Sequence, residues 1–173
     1  MKRIQKPLQG EYNPYAIAYI KLLPEDGQVL KHLKENFKMV KEFIESLSPD
    51  KLSYRYAENK WTIKEILVHI MDDERIYAYR ALRIARNDKT PLPGFEQDDY
   101  VPFSRANKRS LSSIFREYKT IRLATLSLFT SFNKEDLLRT GTANDHPVSV
   151  RALAYHIAGH ELHHHNIIKE RYL

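Results

Sequence analysis

Four stretches of this chain place apolar side chains three and four residues apart for about 20 residues each, and that period specifies amphipathic helix. The first runs from about Gly27 to Leu47, with Leu30, Leu33, Phe37, Val40, Ile44 and Leu47 on one side; Ser48-Pro49-Asp50 stops it. The second opens at Trp61-Thr62-Ile63-Lys64-Glu65, where Thr62 and Glu65 have the spacing of a capping box, and continues to about Ala85 before Asn87-Asp88. The third runs from Asn107 or Ser110 to Phe132, and the fourth from Ser149 to Leu173. Thr90-Pro91-Leu92-Pro93-Gly94 begins a long connection between the second and third helices that lasts through Pro102. A polar connection holding Gly141, Asn144, Asp145 and Pro147 joins the third to the fourth. No strand pattern and no internal repeat stand out. The sequence therefore predicts an all-α four-helix bundle. Residues 1–173 are expected to form one domain, with residues 1–24 as an N-terminal arm whose tyrosine-rich part, Asn13 to Leu23, packs across the bundle as a short helix.

Composition narrows the chemistry. The chain has no cysteine, which removes disulfides, thiolate metal sites and cysteine nucleophiles. Five scattered glycines form neither G-x-G-x-x-G nor a Walker loop. A net charge of +6 raises nucleic acid as a partner, but the basic residues are interleaved with acidic ones and no docking motif accompanies them, so nucleic-acid binding is not expected. The basic start Met1-Lys2-Arg3 leads into no apolar run, and no stretch approaches about 20 apolar residues. A cytoplasmic protein without membrane contact is the expectation.

Five of the eight histidines lie between Tyr155 and Asn166. On a helical wheel with His160 at zero, His164 falls near +40°, Leu153 near +20°, Ile157 near +60° and Ile167 near −20°. His160 and His164 thus share the apolar stripe and lie one turn apart, a spacing that suits two imidazoles on one divalent ion. His156 and His163 fall at the stripe's edge, and His165, about 140° away, is expected in solvent. A third ligand is needed, and His69 on the second helix, flanked by Ile66 and Ile76, is the candidate. Asp72 and Asp73, one turn on, can receive a ring N–H and orient a ligating imidazole. Arg80 lies about 20° from His69 around the same helix, three turns along, and is a candidate clamp for a substrate or cofactor carboxylate. Glu161, Asp72 and His163 are candidate proton carriers. His32 and His146 read as surface residues.

His160-Glu161-Leu162-His163-His164 also satisfies H-E-x-x-H, the zincin signature in which the glutamate is general base. In so histidine-rich a segment the match is weak, and no sheet is expected to hold a peptide. A peptidase is disfavoured.

Taken in order, Trp61-Thr62-Ile63-Lys64-Glu65, His69-x-x-Asp72-x-Glu74-Arg75, Tyr79 to Arg86 and Gly159-His160-Glu161-Leu162-His163-His164 resemble the DinB superfamily, which includes the YfiT-type metal-dependent hydrolases. The resemblance spans Tyr15 to Leu173. It implies a four-helix bundle, a ligand triad of His69, His160 and His164, and a divalent ion, nickel or zinc. It also implies a homodimer, and a small-molecule substrate attacked by water or by a low-molecular-weight thiol such as bacillithiol. Three neutral imidazoles leave such an ion its full charge and open positions, which activate water or thiol alike. A metal-dependent hydrolase or thiol S-transferase is the first reading; a non-catalytic metal-binding or interaction bundle is the second. A closed coordination sphere would favour the second.

Overall fold

The computed structural model describes residues 2–173. Its elements are α1 (Ile17–Ile20), α2 (Val29–Glu45), α3 (Pro49–Leu52), α4 (Ile63–Ala85), α5 (Gln97–Tyr100), α6 (Leu111–Ser131), α7 (Lys134–Leu138), β1 (Thr140–Ala143), β2 (His146–Ser149) and α8 (Val150–Arg171). The four long helices are α2, α4, α6 and α8, and they form the expected bundle. Their starts follow local chemistry. Thr62 caps α4 by accepting from the Glu65 amide while the Glu65 carboxylate returns to the Thr62 amide. Ser110 and Ser149 cap α6 and α8 in the same way with one bond each. No helix among the described residues is long and apolar enough to cross a membrane.

Contacts between helices give their directions. Asn36 meets Ala158 and Phe43 meets His165, so α2 and α8 run parallel. Glu74 meets Arg122 and Lys64 meets Arg109, so α4 and α6 also run parallel. Phe37 lies on Tyr118 and Leu33 on Arg122, which sets α2 against α6; His69 on His160 and Tyr77 on His156 set α4 against α8. Because α4 and α6 are parallel, the chain must return the length of a 23-residue helix, about 35 Å, before α6 begins. That is the physical reason for the long, proline-rich connection the sequence displays. It carries α5 and is pinned midway: the Leu92 amide donates to Thr142 O, and the Asn144 amide donates to Leu92 O, both at 2.9 Å.

Thr142, Ala143 and Asn144 belong to the one departure from an all-helical reading. β1 and β2 form an antiparallel hairpin in register Thr140↔Ser149 to Ala143↔His146. Its two-residue turn, Asn144-Asp145, has positive φ at both positions (50° and 61°), the twist that matches paired strands. Gly141 and Pro147 inside the strands mask the β pattern in the sequence.

The core is divided along the bundle axis. One apolar cluster gathers Ile4, Ile20, Leu30, Tyr77, Ile84, Phe129 and the first turns of α8; the other gathers Val40, Ile63, Leu67, Met71, Ile114, Tyr118 and Ile168. Between them lie buried Asn36, Asp73, Glu74, Arg122, Thr125, His160 and Glu161. This polar layer crosses all four long helices, and two clusters of chemistry occupy it.

The arm packs against the bundle through α1 on α8. Gly159 makes that approach possible: a Cβ there would sit 2.3 Å from Tyr19 O and 2.6 Å from Tyr19 C. Gly159→Ala should therefore destabilise the fold by about 1–3 kcal/mol, since the overpacking against backbone exceeds the gain in helix propensity. Urea unfolding checks this; a more stable variant would mean that the arm shifts freely.

Candidate metal centre

Three imidazoles meet in the polar layer. His69 comes from the second turn of α4, His160 and His164 from adjacent turns of α8. Nε2 of His160 lies 3.0 Å from Nε2 of His69 and 3.0 Å from Nε2 of His164, and one nitrogen from each of the three falls within 4.8 Å of the others. Divalent metal–imidazole bonds of about 2.0–2.1 Å place neighbouring ligand nitrogens about 2.9–3.4 Å apart, so this donor set suits one divalent ion without rebuilding the helices. The rings meet edge to face at centroid separations of 4.5–4.9 Å. Trp61 closes one side, 4.8 Å from the His69 ring and stacked at 6.4 Å on His164.

The two nitrogens of His160 have different surroundings. Its Nδ1 lies 3.3 Å from Oδ2 of Asp73, a carboxylate only 4% exposed. This places a carboxylate behind the ring, on the side away from the cluster that Nε2 faces, as is common behind metal-ligating histidines, although the contact lacks hydrogen-bond geometry. Burial, reinforced by the neighbouring imidazoles, holds His160 and His164 well below the ordinary histidine range; burial lowers His69 as well. All three are therefore neutral at neutral pH, the state that can bind a cation.

Beyond His160 a cavity of about 260 Å³ opens, lined among others by Tyr19, Asp73, Tyr77, Arg80, Phe95 and His156. His156 is the neighbour that wheel geometry left at the stripe's edge. It is buried, stacks on Tyr77 at 3.7 Å and 8°, and has Nε2 3.5 Å from Asp73 Oδ2. Neither of those two atoms has a well-formed hydrogen bond among the described residues. Tyr19 of the arm sets its ring edge-on to His156, His160 and His163 at 5.1–5.3 Å. The sequence signal for His156 was available: His156, His160 and His164 recur every fourth residue. Nothing local marks Tyr19, whose place depends on Gly159.

Three expectations need correction. Asp72 and Asp73 were equal candidates to orient a ligand; the structure gives that place to Asp73, while Asp72 lies 3.6 Å from Arg75 on a partly exposed flank, with burial raising its pKa. Glu161 does not adjoin the imidazoles as a base. Its carboxylate accepts from Tyr118 and lies 3.0 Å from Arg122, because one residue along α8 turns its side chain by about 100° toward α6. H-E-x-x-H here thus lacks the zincin's catalytic glutamate. His165 is buried rather than solvated, edge-on to Phe43 at 4.8 Å, because α8 is covered by α2 on the side opposite α4. His163 is half-buried beside Tyr19, His146 is exposed, and His32 is half-buried with Nε2 2.9 Å from Asp26.

A sequence model described as the DinB superfamily matches residues 32–168. A protein of Oceanobacillus iheyensis that bears the name "putative metal-dependent hydrolase" is 28% identical over 137 residues, 78% of each chain. Among solved structures, YfiT from Bacillus subtilis, described as a probable metal-dependent hydrolase with an unusual four-helix bundle topology, superposes with a TM-score of 0.65. That pair is 13% identical and covers 96% of this chain and 93% of YfiT. The DinB-like protein YjoA of Bacillus subtilis gives 0.58 at 21% identity, over 83% of this chain and 87% of its own. At those identities the two superpositions establish the bundle fold.

Proposed function

This chain belongs to the DinB superfamily, and on that premise we propose that it is an enzyme holding one divalent ion on His69, His160 and His164. Its reaction is attack on a small electrophile, by water or by a low-molecular-weight thiol. The observation that carries the reading is the convergence of three neutral imidazole nitrogens, one of them on His160, which lines a cavity. When bound there, a nickel or zinc ion supplies Lewis acidity to substrate and nucleophile.

The chain's own residues do the rest. His69, His160 and His164 fix the ion's position from two antiparallel helices. Asp73, 3.3 Å behind the His160 ring, supplies the negative charge that favours a proton on Nδ1 and leaves Nε2 for the ion. Tyr19, Tyr77 and Phe95 set aromatic rings among the cavity's polar walls. His156, which lines the cavity and has no hydrogen-bond partner on Nε2 among the described residues, is the group best placed to hold or release a proton beside the reacting atoms. It takes the role the sequence offered to Glu161, Asp72 and His163.

Elemental analysis of protein never passed over a nickel column should find about one divalent metal per chain. A panel of small esters, amides and epoxides, each run with and without a low-molecular-weight thiol, should then give turnover that chelation removes and metal restores. Turnover without thiol identifies a hydrolase, and turnover only with thiol a transferase. Folded protein that takes up no nickel, zinc, cobalt or manganese would end the reading.

A further inference from the structure

Arg80 is 4% exposed, yet it has no carboxylate partner among the described residues. Every other guanidinium as deeply buried would be expected to sit in an ion pair, as Arg122 does with Glu74 and Glu161. Of the five N–H donors of Arg80, one is used: Nη2 donates to Pro93 O at 2.7 Å. The guanidinium carbon lies 4.9 Å from the centre of the Tyr77 ring and 5.8 Å from that of Phe95, which hold the fork between two aromatic faces. Arg80 lines the same cavity as His160 and Asp73.

We propose that this cavity takes a small acid, with its carboxylate on Arg80 and its reactive end beside His160. The orientation follows from charge. Asp73 is a buried carboxylate at the histidine end of the cavity, so an anion is repelled there and drawn to the other end. On α4, Asp73 and Arg80 are seven residues apart, about 10 Å along the axis, and helical side chains lean toward the N-terminus, so Arg80 reaches back over Tyr77 toward the histidine end. The rings of Tyr15, Tyr19, Tyr77 and Phe95 stand among the walls and offer faces on which a flat ligand body can stack. The planar fork of Arg80 pairs with a carboxylate through two parallel hydrogen bonds, and a neutral amide cannot replace that. This inference rests on the proposed function only for the reactive end; the acid-binding end stands on Arg80 itself.

The test is calorimetric titration of the metal-loaded protein with phenylacetate and 4-phenylbutanoate, each against its neutral amide. Wild type should bind each acid at least about tenfold more tightly than its amide. Arg80→Met, similar in length and apolar, should lose that preference while leaving amide affinity and metal content unchanged. Arg80→Lys keeps the charge without the fork and should fall between. Equal binding of acid and amide by wild type, or an undiminished preference in Arg80→Met, overturns the proposal. Metal retained without acid preference defeats this inference alone. An acid preference that depends on Arg80 in protein that holds no metal defeats the proposed function and leaves the acid site standing.

Discussion

His69→Ala is expected to strip the bound divalent ion from the protein, with affinity falling well over a hundredfold, while the bundle stays folded. The reasoning is geometric. His69 is the one member of the triad on α4, and its Nε2 lies 3.0 Å from that of His160. Without it, the two remaining imidazoles on α8 form a pair beside Trp61 with no third imidazole to complete the set. Removing a hydrogen-bond partner behind a ligand typically costs 10–100-fold in metal affinity, so loss of a ligand itself should cost more. Asp73→Asn should therefore fall between wild type and His69→Ala, since it weakens the orientation of His160 and leaves all three nitrogens in place. His165→Ala is the contrast. Its ring packs on Phe43 rather than on the cluster, so the variant should lose stability and keep its metal. Metal content after dialysis against a chelator, read beside urea unfolding, separates the two effects. Equal metal loss from His69→Ala and His165→Ala would show that the three nitrogens do not share an ion.

The second large effect concerns the other half of the polar layer. Arg122→Met should destabilise the fold by about 3–5 kcal/mol at neutral pH, because it leaves buried carboxylates without their cation. Arg122 Nε donates to Glu74 at 3.0 Å, Nη2 lies 2.9 Å from Glu74 and 3.0 Å from Glu161, and Nη1 donates to Leu33 O. Tyr118 OH donates to the same Glu161 carboxylate. All of these side chains are nearly or wholly out of solvent. Burial already pushes the Glu161 carboxyl up against the pull of Arg122, and loss of the arginine raises it further. A carboxyl whose folded pKa is raised binds more protons in the folded state than in the unfolded one. Stability therefore declines as pH rises from the unfolded value of about 4.3 through the folded one. The deficit of Arg122→Met should accordingly shrink as pH is lowered from 7 toward 5. A deficit that is small at pH 7, or that grows on acidification, would show that the carboxylates find other partners.

Much of the frame is legible in the order of residues. The apolar period of three and four residues, broken by Ser48-Pro49-Asp50 and restarted by the Thr62–Glu65 box, sets the helices to within a few residues. A helix's register is a local property of its own residues. The same locality put His160 and His164 on one face. It did not reach the hairpin at 140–149, where a Gly and a Pro hide a strand signal that depends on pairing. It also misplaced His165 and Glu161. A helical wheel sorts residues by angle and cannot say what covers each angle, and α8 has helices on both sides.

Sequence alone determined the helical period, the caps, the absence of cysteine chemistry and a pair of imidazoles one turn apart. The bundle decided the rest. It paired Asp73 rather than Asp72 with His160, gave Glu161 to Arg122, carried Tyr19 to the cluster over Gly159, and left Arg80 buried without a counter-charge. The physical reason is that angular position on a helix is fixed by spacing along the chain, whereas burial, partner and charge balance depend on which face of which neighbour arrives across the interface.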